Sequence, residues 1–286
     1  MANTPLIASH IERIDKFNDQ LWYYLFATEE LNNQLQRFTD AAKQNYVEDL
    51  FNNNQFKRRI HVRVSSLSSH QRENKNLTFG AYISACYEIG SKYLTLAYNT
   101  LKSFNNILTH NWDSSLGPEG NIQALLQSAG LPSINRNYID TITYLRLRRN
   151  HHTHINDSIN APLQSLITSS AARLNTFWRQ PRNAVNLDFT RILIRSFGQD
   201  ETFQLIKVLR ICLQEMDENI AALLNKNKVI EYIVMREYDG KTSRMNSYVL
   251  QQRVSKVKNI CRTELGLNCT DVEIDPFARA IGIFIV

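Results

Sequence analysis

Apolar residues that recur every three or four positions over long stretches commit most of this chain to helix. Between residues 78 and 104, Phe79, Tyr82, Ile83, Cys86, Tyr93, Ala97, Leu101 and Phe104 keep near-helical spacing, which lines them along one face of a repeat of about 3.6 residues. Thr78 stands where such a helix would be capped. Ile7, Ile11, Ile14, Phe17, Leu21 and Leu25 form a similar stripe, predicting a first helix that runs past Leu31. A third helix is predicted from Asn137 as N-cap, with Asp140 in its first turn, through Ile139, Ile142 and Leu145 into the basic run Arg146-Leu147-Arg148-Arg149. Breaks at residues 156–158 and 160–162 precede a helix carrying Leu163, Leu166, Ile167, Leu174 and Phe177. After a loop around Pro181, a last long helix is expected over residues 203–224, with Ile206, Cys212, Leu213, Met216, Ile220 and Leu223 inward.

Other stretches read differently. Ile60, Val62 and Val64 alternate with His61 and Arg63 as in a short strand, and the polar run 65–76 reads as a loop. Residues 113–120, which include Gly117-Pro118, read as a loop, residues 122–129 as a short helix, and Gly130-Leu131-Pro132 as its stop. In the tail, residues 229–235 and 280–286 are apolar and β-branched, flanking a helical pattern through Tyr248, Val254, Val257 and Cys261. Asp271, Glu273 and Asp275 alternate with Val272 and Ile274 like the exposed face of a strand. The expectation is a mainly α protein: an N-terminal helical segment over 1–69, a helical bundle over 70–225, and a small α/β C-terminal region over 226–286.

Composition sets limits on function. The 286 residues are 43% hydrophobic and 21% charged, enough to bury a sizeable core and too apolar for disorder by default. A formal net charge of +6 favours polyanionic partners such as RNA or DNA. No apolar run approaches the length of about 20 residues that a spanning helix needs, and the start lacks a basic segment followed by an apolar one. A cytoplasmic protein with no membrane partner is expected. Cys86, Cys212, Cys261 and Cys269 are scattered without a C-x-x-C pair, which suits core packing over zinc binding.

One segment stands apart. Three of the seven histidines fall within four positions of the run Leu145-Arg146-Leu147-Arg148-Arg149-Asn150-His151-His152-Thr153-His154. Arg149-Asn150, three residues, then His154 resembles the Arg-Asn-x-x-x-His form of the R-x(4–6)-H motif of HEPN (higher eukaryotes and prokaryotes nucleotide-binding) domains, which set it after a basic, apolar helix and before another helix of a small bundle. The resemblance covers roughly residues 77–224 and implies a HEPN-like helical bundle. It further implies RNA cleavage without metal or cofactor, commonly by a homodimer in which two motifs share one cleft as a composite active site. On that reading His154 takes the proton of a ribose 2′-OH, Arg149 holds the phosphate and offsets its growing charge, and Asn150 orients His154 or the RNA backbone. An antitoxin or other regulatory partner is implied for a toxin or anti-phage effector of this kind. On a straight helix, residues five apart diverge by about 140°, so joint action of Arg149 and His154 calls for a break nearby.

Blander readings stand beside these. His154 at a helix end would suit the dipole. Arg146 and Arg148 read as a solvated or RNA-facing basic surface, and His151 and His152 are open between structure and RNA contact. His151 and His154 could share a helix face, but no third ligand sits at a telling spacing, so no metal site is expected. Glu88 and Lys92, four apart, suit a helix-stabilising ion pair, with Glu88 also a candidate to approach the Arg–His pair as in some HEPN proteins. No P-loop, G-x-G-x-x-G or G-x-S-x-G motif competes. The alternative to an enzyme is a catalytically inactive HEPN-like module for dimerisation or nucleic-acid or nucleotide binding.

Overall fold

The computed structural model describes residues 4–105, 107–153, 159–179, 187–191, 196–238, 244–281 and 283–284, with backbone alone for Arg244, Ile283 and Phe284. Its helices are α1 (Pro5–Gln36), α2 (Val47–Leu50), α3 (Leu67–Phe104), α4 (Gly117–Ser128), α5 (Arg136–Thr153), α6 (Ala161–Arg179), α7 (Gln199–Leu223), α8 (Lys226–Tyr238), α9 (Ser247–Leu265) and α10 (Asp271–Ala280). The protein is mainly α, as its periodicity predicts. Among the described residues, strands are limited to β1 (Arg244–Met245) and β2 (Ile283–Phe284), paired in parallel. No helix among these residues is long and apolar enough to cross a membrane.

Two compact units interleave along the chain. The first comprises Met1–Arg13, Tyr87–Arg146 and Lys207–Val286, the second Ile14–Cys86 and Leu147–Ile206. In the first unit the start of α1 is pinned by a buried acid. Thr4 donates its backbone N–H to Asp217 Oδ2 at 3.0 Å and its hydroxyl to Oδ1 at 2.7 Å, while the buried Tyr93 hydroxyl donates to Oδ1 at 2.9 Å. The carboxylate thus meets the N–H groups left over at a helix start, where negative charge is favoured. Burial, with the Asp217 charge second, pushes the Tyr93 phenol well above its ordinary range, so it remains a donor. Gly266 ends α9 with φ of 68°, and a Cβ there would come within 3.0 Å of Pro5 Cδ; both the left-handed turn and the close approach call for glycine.

The C-terminal part of the first unit has its own core. Val229, Ile230, Ile233 and Val234 of α8 pack with Leu250, Val254, Val257 and Cys261 of α9, Ile274 and Ala278 of α10, and Phe104. This overturns the expected strand over residues 229–235. Positions 229, 230, 233 and 234 share a helix face, so a β-branched run is accommodated once a packing partner is present. The expected strand at Asp271, Glu273 and Asp275 is likewise a helix, because Thr270 accepts from the Glu273 N–H while Glu273 accepts from the Thr270 N–H, a reciprocal cap. Of the apolar end, β2 adds a two-residue pairing, and Gly282, Ile285 and Val286 lie outside the described residues.

In the second unit Ile14 and Leu21 of α1, Phe79, Ile83 and Cys86 of α3, and Leu163, Leu174 and Trp178 of α6 are buried. The polar run expected as a loop over 65–76 instead completes a 3-10 turn at Ser66 and from Leu67 forms the first turns of α3. Ile60, Val62 and Val64 form no strand: a 3-10 turn ends just before Ile60, another begins at Val64, and among the described residues the pairing there is a bridge between Tyr46 and Arg63. All four cysteines are buried free thiols, in keeping with core packing. Pro181 lies outside the described residues.

Two expectations follow. Asp217→Ala removes the acceptor of three buried or half-buried donors and should lower stability by about 2–4 kcal/mol in urea denaturation, with Asp217→Asn losing less because one acceptor oxygen remains. Glu273, hydrogen-bonded first by Lys226 and then by Thr270, has its carboxyl held down to about 2 from an ordinary 4.5. Its contribution is therefore present above pH about 4.5 and lost as pH falls toward about 2. Wild type should melt above Glu273→Gln near neutrality, with the gap closing over that acid range; a gap independent of pH would contradict this.

Candidate functional site at the end of helix α5

Asn135 opens α5: its side-chain oxygen accepts from the Asn137 N–H at 2.9 Å and its carbonyl from the Tyr138 N–H at 2.9 Å. The cap lies two residues before the expected Asn137. Thr141, Tyr144 and Leu145 are buried along α5, and the same stripe continues into Arg148 and His151, spaced three or four apart as one helix face requires. The basic segment is therefore amphipathic in an unusual sense, with an arginine and a histidine on the inner face.

Arg148 is 0% exposed, which corrects its reading as a solvated or RNA-facing residue. Its Nη2 donates to Glu201 Oε1 at 2.7 Å and to the Ser196 carbonyl at 3.3 Å, and its guanidinium lies 4.8 Å from the Phe197 ring centroid. Glu201 in turn accepts from the Gly198 N–H at 3.1 Å and faces Arg191 Nη1 at 3.5 Å. A buried cation needs such a partner set, since desolvation alone would expel it. Glu201 was missed in the sequence; the available signal was its place three residues after Gly198, where a first-turn acid reaches back to a cap.

The neighbouring histidines divide. His151 is buried. His152 sets its ring edge-on to Phe197 at 5.3 Å and lies against Gly80 of α3, where a Cβ would fall 1.9 Å from Nε2. Gly80 thus opens the space that the imidazole fills. Arg146, in the first unit, is also engaged: its Nε donates to the fully buried Glu119 Oε1 at 2.8 Å, an oxygen that accepts from Thr143 as well. Its reading as a solvated surface charge is corrected to a partly exposed ion pair. Glu88 is half-buried and Lys92 exposed on α3, both in the first unit.

Arg149 and Asn150 are half-buried in the second unit, and Arg149 Nη1 donates to Asn150 Oδ1 at 2.9 Å. That bond uses one of five guanidinium donors and leaves the amide nitrogen as the donor end that Asn150 can present. The helix persists through Thr153, whose hydroxyl donates to the carbonyls of Arg149 and Asn150 at 3.1 Å each. His154, and with it the break expected at residues 156–158, lies outside the described residues. The structure thus brings Arg149 and Asn150 together and sets Arg148 and His151 on the buried face. Among the described residues no group of three His, Cys, Asp or Glu is arranged to hold a metal ion. Compared with family models, curated proteins and solved structures, the chain finds no match.

Glu201→Ala takes the carboxylate from a buried guanidinium and should cost about 3–5 kcal/mol, read by chemical denaturation. Adding Arg148→Met should restore much of that loss, since it removes the stranded charge; a double variant as unstable as the sum of the singles would show that the pair does not act as a unit.

Proposed function

We propose that the chain is an endoribonuclease of the HEPN type, acting by transesterification without a metal. The observation that carries this reading is the Arg149–Asn150 hydrogen bond of 2.9 Å at the half-exposed end of a helix whose opposite face is locked by Arg148 and His151. A charged fork held on a rigid element is what phosphate positioning requires. In the proposed step His154 accepts the 2′-OH proton, the 2′ oxygen bonds to phosphorus, and the bond from phosphorus to the 5′ oxygen breaks. A proton returned to that leaving oxygen completes the exchange, yielding a 2′,3′-cyclic phosphate and a 5′-hydroxyl end. A homodimer would supply a second Arg149 and His154, one imidazole serving as base and the other as acid. A regulatory partner such as an antitoxin would restrain so damaging an activity, as for toxins and anti-phage effectors.

A second reading, a HEPN-like module that binds nucleic acid or dimerises without cutting, is favoured by the engagement of Arg146 with Glu119 and of Arg148 with Glu201, which leaves fewer basic groups of the segment to meet a substrate. One assay divides the two. Incubated with single-stranded RNA in EDTA, wild type should cut while leaving DNA of the same sequence intact, and Arg149→Ala and His154→Ala should each lose at least about 100-fold in rate. Equal cleavage by all three proteins, or binding without cleavage by wild type, would reject the enzyme.

A further inference from the structure

A run of basic residues uninterrupted by acids lies far from α5 in sequence. Between Asp49 and Glu73 stand Lys57, Arg58, Arg59, Arg63 and Arg72 with no acidic residue, five charges in a chain whose net is +6. All but Arg72, which lies on α3, belong to a small lobe of the second unit, where they stand with the acids Glu48 and Asp49 of α2. The Val47 N–H donates to the Val62 carbonyl and the Val64 N–H to the Asn45 carbonyl, each at 3.0 Å, closing the ends of the excursion. Leu35, Val47 and Val64 form its buried core, with Phe38, Phe51 and Val62 packed against them.

The outside of the lobe is unusual for a surface with so small a core. Phe56 is 59% exposed immediately before Lys57-Arg58-Arg59, and no acidic group pairs with Arg58 or Arg59 among the described residues. Tyr46 and His61 are exposed and stacked face to face, their centroids 4.5 Å apart and planes 12° from parallel. Two carboxylates lie beside them: Glu48, 3.7 Å from His61 Nδ1, and Asp49, whose Oδ2 accepts from the Tyr46 N–H at 3.2 Å and is engaged as a helix cap. Solvent-facing rings beside unneutralised guanidinium groups, with Asn52, Asn53, Asn54 and Gln55 supplying amide donors and acceptors, combine the two things a single strand offers: phosphates for the cations and unpaired base faces for the rings.

We infer that the lobe over residues 46–63 binds single-stranded nucleic acid, with Phe56 and the Tyr46–His61 stack receiving bases and Arg58 and Arg59 receiving phosphates. This inference does not rest on the cleavage reading. Flat exposed rings select against a duplex, whose bases are already stacked, and guanidinium groups without acidic partners release counterions from the strand when they bind.

The test uses the full chain and fluorescent oligonucleotides of about a dozen residues: 2′-O-methyl oligo(U), oligo(dT) and a duplex of equal length, by anisotropy from about 50 to about 200 mM salt. Neither single-stranded probe carries a free 2′-OH, so the readout is blind to whether the protein cuts RNA. Both single strands should bind more tightly than the duplex, and tighter binding of the 2′-O-methyl probe would assign the site to RNA, equal binding to single strands in general. Phe56→Ala should weaken binding at least about fivefold. Arg58→Ala/Arg59→Ala should weaken it and flatten the slope of log affinity against log salt by about 1.4, two phosphates at about 0.7 each. All three positions are exposed, and unchanged circular dichroism would confirm that the variants fold. Affinity unaltered in either variant, a preference for the duplex, or attachment to phosphatidylserine vesicles with no oligonucleotide binding would each overturn the inference.

Discussion

A guanidinium removed from water beside a buried carboxylate constrains the second unit more than any other contact. Arg148 reaches Glu201 at 2.7 Å with Phe197 against its face, and Glu201 simultaneously caps the start of α7 through Gly198. Because a buried charge tolerates little displacement from its partner, the last turns of α5 are fixed in rotation about the helix axis. Rotation of that helix decides which of its polar residues face outward. Arg149 and Asn150 reach the surface side because Arg148 and His151 occupy the core side.

The first unit uses the same device with different groups. Asp217 gathers Thr4 and Tyr93, and the buried Asn121 bonds the Asp113 N–H and carbonyl and the Gly117 carbonyl, each at 2.7 Å, tying the approach to α4. Glu119 holds Arg146 and Thr143. Apolar packing is tolerant of sliding, whereas each of these polar contacts has one satisfactory geometry. Specific placement of the helices therefore rests on a few buried polar side chains set among many interchangeable aliphatic ones.

Charge along the chain separates into engaged and exposed groups. In the segment Arg146 to Arg149, Arg146 and Arg148 meet buried carboxylates, so a run that looks like a polyanion site is in good part structural. The lobe around Arg58 and Arg59 has the opposite character, with both side chains exposed and no carboxylate paired with either among the described residues. A count of basic residues treats the two alike; burial distinguishes them.

The helical class was legible because stripes such as Ile7, Ile11, Ile14 and Leu21 bury as their spacing requires, and local punctuation held at Asn160, which caps α6 through the Leu163 N–H, and at Gly130, whose φ of 65° ends α4. The β-branched runs misled, because Val229, Ile230, Ile233 and Val234 satisfy a helix face as well as a strand, and only the presence of α9 and α10 chooses between them. Of the site, the sequence by itself determined that Arg149 and Asn150 are adjacent near a helix end, since that follows from periodicity within one element. That Arg148 is a core residue, that Glu201 is its partner 53 positions away, and that Gly80 makes room for His152 were decided by tertiary structure alone, because the cost of burying a charge depends on groups that the chain brings together only when it folds.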